Sequence, residues 1–145
     1  MFKTKGNRTK WKHPSSSRPR VLLECPSDLS PSIIATVIER HGMDVHICEG
    51  PADGGKCSLL DSGTCDAVNE ADVVVNMLGQ RRAHGRQIAE AVRTMPDGPA
   101  LVIEASDNEL ARPDVSTEGA TVLKPSFSAR SLLIAIRDGR RSARA

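Results

Sequence analysis

A three-layer α/β fold built on a five-stranded parallel sheet is what this chain of 145 residues predicts. Three observations lead there. Short apolar runs such as VLLEC, DVVVNML and ALVIEA recur along the chain, and stretches with apolar side chains at helical spacing separate them. The runs are apolar at consecutive positions, as expected of strands covered by helices on both faces. Aromatic residues are nearly absent: there is no Tyr, one Trp and two Phe, so the core is expected to be aliphatic.

Each element follows in order. RVLLEC, from Arg20, reads as the first strand, and Ser30 with Pro31 marks a helix start for SIIATVIERHG, stopped at Gly42. MDVHIC, residues 43–48, is the second strand. The stretch from Glu49 to Ala71 is rich in Gly and Asp and reads as a loop with at most one short helix near Cys65 to Glu70. ADVVVNML is the third strand, and GRQIAEAVRTM carries Ile88, Ala91, Val92 and Met95 on one helical face. ALVIEAS is the fourth strand, DNELARPDVSTEGA a connector with room for one helical turn, and ATVLK the fifth strand. SARSLLIAIRDG is the last helix, with Gly139 as its expected stop.

The length suits one domain with a real core. Residues 1–19 are polar, basic and broken by Pro14 and Pro19, and are expected to form a disordered arm; the domain itself spans 20–139, and 140–145 is a basic tail. The net charge of +2 is unevenly spread. Residues 1–20 hold seven cations and no acid, which leaves thirteen cations against eighteen acids in the remainder. No run approaches the roughly 18 apolar residues of a membrane span, and no apolar signal segment leads the chain. The expected location is cytoplasmic, where four cysteines serve as thiols, metal ligands or redox groups more readily than as structural disulfides.

The stretch TVLKPSFSARSLLIAIR places Lys124 and Pro125 between the fifth strand and a helix. Together with DVVVNMLGQRRAHGRQIAEAVR and its Gly85, it resembles the receiver domain of two-component response regulators, a flavodoxin-like fold, over about residues 20–139. Where that family has its second helix, this sequence is expected to carry a Cys-containing loop instead, and the resemblance implies that the Lys-Pro peptide is cis. It also implies a phosphorylation pocket at the strand ends: a nucleophilic aspartate, carboxylates that hold Mg²⁺, a hydroxyl and a lysine. Here that pocket is degenerate. The acceptor position falls on Met77 beside Asn76, the acidic pair becomes Glu24 and Cys25 with Asp28 beyond, and the fourth strand ends in Glu104 and Ser106. Lys124 alone matches, and one extra residue, Ser126, follows its proline. Neither Asn76 nor Met77 forms an acyl phosphate. The expectation is a phosphorylation-independent regulatory module that contacts a protein partner or a second copy, through the face of the fourth strand, last strand and last helix. Lys124 is then expected to sit between Glu24 and Glu104, or simply in solvent.

Cys25 and Cys48 close the first two strands, and Cys57 and Cys65 follow in the loop, so four thiols are candidates for a redox pair or a zinc site. No closely spaced CxxC pair supports zinc. The plainer expectation is that Cys25 and Cys48 are small buried hydrophobes. Lys10, Trp11 and Lys12 suggest contact with nucleic acid through phosphate neutralisation and base stacking, although a solubilising arm explains them better, since no DNA-binding fold accompanies them. Arg81, Arg82 and Arg86 lie near the third strand's edge as an anion candidate. No GxGxxG, Walker loop or Ser/His/Asp set is present, so catalysis is not expected.

Overall fold

A computed structural model describes residues 11–13, 17–51 and 57–144. The strands are β1 (Arg20–Glu24), β2 (Asp44–Cys48), β3 (Val73–Asn76), β4 (Ala100–Glu104) and β5 (Ala120–Leu123), all parallel, in the order β2-β1-β3-β4-β5. The helices are α1 (Pro31–Glu39), α2 (Ser58–Ser62), α3 (Asp66–Glu70), α4 (Ala83–Arg93), α5 (Asp107–Leu110) and α6 (Ala129–Arg144). The three-layer arrangement expected from the strand and helix alternation is present.

Alternation of side chains along each strand divides the core in two. Val21, Leu23, Val73, Val75 and Val102 face one way and pack with Ala35 and Ile38 of α1 and with Leu132, Ala135 and Ile136 of α6. Leu22, Val74, Leu101 and Ile103 face the other way, against Leu59 of α2, Val68 of α3, and Ile88, Ala89 and Val92 of α4. Each fully buried aliphatic side chain contributes roughly 1.5–3 kcal/mol, which makes the aliphatic core sufficient without aromatic rings.

The structure departs from the sequence expectations at several points. The segment before β3 holds the one short helix expected near Cys65 to Glu70, α3, and a second one-turn helix, α2, because Leu59, Ala67 and Val68 offer apolar anchors to the sheet. Ser30 precedes Pro31 as expected but adopts a left-handed conformation, φ 55° and ψ 59°, and its hydroxyl makes no cap. Gly139 does not stop α6; the helix runs on to Arg144 and takes in residues 140–144 of the stretch set apart as a tail. Gly139 is buried where α6 packs over the sheet, and a Cβ there would meet Val102, Thr121 and Ala100 at ordinary contact distance. Among the described residues every peptide bond is trans, that between Lys124 and Pro125 included, and Ser126 takes a positive φ of 62° in the turn that follows.

The basic arm is also corrected in part. Residues 1–10 and 14–16 lie outside the described residues, and Lys10 with them. Trp11 is only 6% exposed and belongs to the α2/α3/α4 side of the core. Its indole N–H donates to Glu70 at 2.8 Å, the His46 ring lies 5.8 Å away between centroids, and the Arg20 guanidinium sits 5.3 Å from the ring centre. Lys12 pairs with Glu39 at 3.0 Å, and the His13 backbone N–H donates to Asp44 at 2.8 Å. Trp11 is thus a packing residue, with no face left for a nucleic-acid base. Among the described residues no helix is long and apolar enough to cross a membrane.

Candidate functional site

The carboxyl ends of β1, β3 and β4 bring together the residues that the sequence nominated. Glu24 lies between Cys48 of β2 and Asn76 of β3 in the sheet register, on the Leu22 face. It is 4% exposed, and its Oε1 has no hydrogen-bond partner. Burial pushes its carboxyl up to about 8, so it holds a proton at neutral pH.

Asn76 is fully buried, and both ends of its amide are engaged. Its Nδ2 donates to the Gly85 carbonyl and its Oδ1 accepts from the Leu78 N–H, both at 3.0 Å. Met77 turns to the opposite face and packs in the α1/α6 core, while its backbone N–H donates to the Glu24 carbonyl at 2.7 Å. Neither side chain reaches solvent. The loop above them is also shut: a Cβ on Gly85 would lie 2.2 Å from the Gly79 carbonyl oxygen, so the backbone closes there only with glycine.

Ser106 is committed to capping α5. Its hydroxyl accepts from the Glu109 N–H at 3.1 Å, and its own N–H donates to Glu109 Oε1 at 2.9 Å, a reciprocal capping box. Glu109 Oε2 accepts from the backbone N–H groups of Gln80 and Arg81 at 3.0 and 3.2 Å. Burial alone would raise the Glu109 carboxyl, but the hydrogen bonds from Ser106, Gln80 and Arg81 outweigh it and hold the group below the ordinary range. Arg86 completes the clasp, donating to the Gln80 and Arg81 carbonyls at 3.0 and 2.8 Å and lying 3.5 Å from Asp114. Arg86 is therefore a loop brace, which replaces its reading as an anion ligand. Glu109 was missed, although the Ser106-x-x-Glu109 spacing is legible as a cap signal.

Lys124 does not join Glu24 and Glu104. Its ammonium pairs with Asp107 at 2.6 Å, with side chains 63% and 81% exposed, respectively, so solvent screens the pair. Asp107 begins the one-turn helix α5, which brings it within reach of the β5 end. Glu104 is half-buried and its carboxyl is raised by burial and then by nearby Glu109. Asp28 lies exposed in the turn Ser27–Leu29. The residues do not fit the implied Mg²⁺: among the described residues no group of three or more His, Cys, Asp or Glu side chains is arranged to hold a metal ion.

The four cysteines are unpaired and do not converge as one group. Cys25 turns into the α1/α6 core, its thiol pushed up to about 11 by burial, then by Glu104 and Asp28. Cys48, Cys57 and Cys65 pack on the other side of the sheet. The four-thiol zinc centre is therefore not assembled.

No family model matches the chain, and no curated protein matches it in sequence. Solved structures do. A response regulator receiver protein from Sinorhizobium medicae superposes with a TM-score of 0.64 at 17% identity, covering 88% of this chain and 98% of that one. A signal receiver domain from Bermanella marisrubri gives 0.61 at 20% identity over 84% and 98% of the two chains. A receiver domain from Clostridium thermocellum gives 0.60 at 20% identity over 88% and 97%. The chain has the receiver fold. Within that fold, the pocket at the strand ends carries the substitutions and the clasp described above, and the connector after β4 is largely non-helical. Arg93 secures this connector, its guanidinium donating to the Ser116 and Glu118 carbonyls at 3.2 and 2.7 Å.

Proposed function

We propose that this chain is a receiver-fold regulatory module that acts in the cytoplasm through protein contacts, without phosphorylation of an aspartate and without catalysis of its own. The observation that carries the reading is the state of Asn76, buried and bonded at both ends of its amide to the loop that would have to open. With the pocket clasped by Glu109 and Arg86, regulation is assigned to what the outer surface meets. The surface favoured for docking lies beside β5 and α6, where Ile134 is 40% exposed and Phe127, Pro125 and Val122 line the same groove. A protein surface, another copy of the chain included, fits that mixture of apolar centre and polar rim.

Treatment with acetyl phosphate and Mg²⁺ followed by intact mass measurement tests the first half of the reading: no added phosphoryl mass is expected. A gain of one phosphoryl group would overturn it. For the second half, Ile134→Glu is expected to abolish any self-association or partner capture seen by light scattering with the wild type. Unchanged association would relocate the surface.

A further inference from the structure

At the amino end of the sheet, away from the clasped pocket, a cavity of about 220 Å³ opens between α6 and the turn from α1 into β2. One wall is a stripe of α6: Leu133, Ile136, Arg137 and Arg140 follow the i, i+3, i+4, i+7 spacing of a single helix face. Ile134 and Asp138 of the same helix line the groove beside β5 instead. The opposite wall is the turn at His41 and Met43, where Gly42 at φ 85° carries the chain out of α1. Pro19 closes the third side, its carbonyl accepting from the Asp44 N–H at 2.8 Å, which ties the approach to β1 to the start of β2.

The floor is apolar and the rim is cationic. Ile136 is fully buried, and Met43 and Leu133 are half-buried. Arg137 is exposed and Arg140 half-buried, and among the described residues neither side chain has a hydrogen bond or an ion pair. Arg140 also borders the adjoining cleft, which holds Asp72 and Asp97, without pairing with either. No acidic side chain lines the cavity itself among the described residues. The His41 ring donates from Nδ1 to the Val37 carbonyl at 3.0 Å, which leaves Nε2 for a ligand. The carbonyl end of α1 disfavours an anion, but the Val37, Ile38 and Glu39 carbonyls are already engaged by the His41 ring, the His41 N–H and the Gly42 N–H.

We propose that this cavity binds a small organic monocarboxylate, its apolar body against Met43, Leu133 and Ile136 and its carboxylate on Arg137 and Arg140. Guanidinium groups stay charged at every physiological pH, and their planar forks match the two oxygens of a carboxylate. A cation is repelled by the same pair. A bare anion leaves the apolar floor wet, whereas an apolar body covers it. The volume equals that of roughly seven waters at about 30 Å³ each, which suits an acid of about six carbons. The site stands whether or not the domain docks partners beside β5, because different residues of α6 line the two places.

The full chain, labelled with nitrogen-15, is titrated with sodium hexanoate at constant ionic strength while backbone amide resonances are followed. The expected result is saturable shifts centred on Gly42, Met43 and residues 133–140, with a dissociation constant at or below about 1 mM. Affinity is expected to fall about fourfold for each methylene removed from hexanoate through pentanoate to butanoate. Hexylamine, with the same chain and the opposite charge, should leave these resonances in place. Arg137→Gln and Arg140→Gln are each expected to weaken hexanoate about tenfold, and the double variant to lose it. Arg130→Gln, an exposed arginine at the other end of α6, should bind as the wild type does. Circular dichroism confirms that each variant is folded; should Arg140→Gln not fold, the exposed Arg137 decides the matter alone. No saturable shift at about tenfold that concentration, equal affinity for acetate or inorganic phosphate, hexylamine binding at the same residues, or unchanged binding in the folded Arg137→Gln variant would each overturn the proposal.

Discussion

Glu109 and Gln80 are joined by a hydrogen bond of 3.0 Å in which the Gln80 backbone N–H donates to the Glu109 carboxylate. Through it, a one-turn helix after β4 holds the loop after β3. Glu109→Ala removes this bond, the Arg81 bond and half of the Ser106 capping box, and is expected to cost about 2–3 kcal/mol in urea unfolding. Because the folded-state carboxyl is held low, its stabilisation is present above the unfolded value near 4.5 and is lost as pH falls through the folded one. The gap between wild type and variant should therefore close in acid. Faster amide exchange at Gln80 and Arg81 in the variant would locate the effect.

Asn76→Asp places a carboxylate where the nucleophile of a receiver would be expected nearby, yet it should not restore phosphorylation. The change removes the donor to Gly85 and sets oxygen against oxygen in a buried site. A loss of about 2–3 kcal/mol is expected, with no phosphoryl mass gained from acetyl phosphate and Mg²⁺. A phosphorylated variant would mean that the loop opens readily.

The raised carboxyl of Glu24 has its own pH signature. Between about 4.5 and 8 the unfolded chain releases this proton while the folded chain keeps it. Stability from this group therefore declines as pH rises across that window, by up to about 1.4 kcal/mol per pH unit. Glu24→Gln removes the titration, so its stability curve should be flatter and its advantage widest at alkaline pH. Parallel curves for the two proteins would show that Glu24 is ionised in the folded state.

Two glycines should respond to alanine in opposite directions. Gly85→Ala drives a methyl into the Gly79 carbonyl and is expected to cost about 3 kcal/mol or more. Gly139→Ala meets only ordinary contacts at 3.5–3.7 Å and should stabilise α6 by about 0.5–1 kcal/mol. Thermal melts of the pair suffice to check both signs.

Trp11→Ala should lower stability by about 2–3 kcal/mol, less than a central core truncation because the short arm segment can release by itself. Trp11→Phe, which retains the ring but not the donor to Glu70, should lose less. Trp11 is the protein's single tryptophan, so its wild-type fluorescence should shift to the red on unfolding.

The strands and the long helices were legible because their apolar spacing directly reflects burial, and the five-stranded sheet emerged with its ends nearly in place. Faces were harder to read. Cys25 and Cys48 close neighbouring strands but point to opposite sides, since Cys48 is in register with Glu24 and not with Cys25; that register is a tertiary property. Lys124 was given the wrong carboxylates for a related reason: Asp107 lies in a connector without periodicity, and only α5 brings it close. Gly139 reads as a stop because a local rule for helix ends cannot distinguish a terminus from a glycine buried in a helix interior. The helix around Leu59 is too short for its pattern to exceed that of a loop, whereas the one near Cys65 to Glu70 was legible.

At β5 the sheet ends in a strand of four residues on the open edge. Such an edge is a template for further strands, yet Lys124 puts a charge at its end and Pro125 follows without an N–H to donate. Growth of the sheet into a neighbouring molecule is thereby discouraged. Contact on this side is then favoured through side chains over a lengthening of the sheet, a bias against fibrous association.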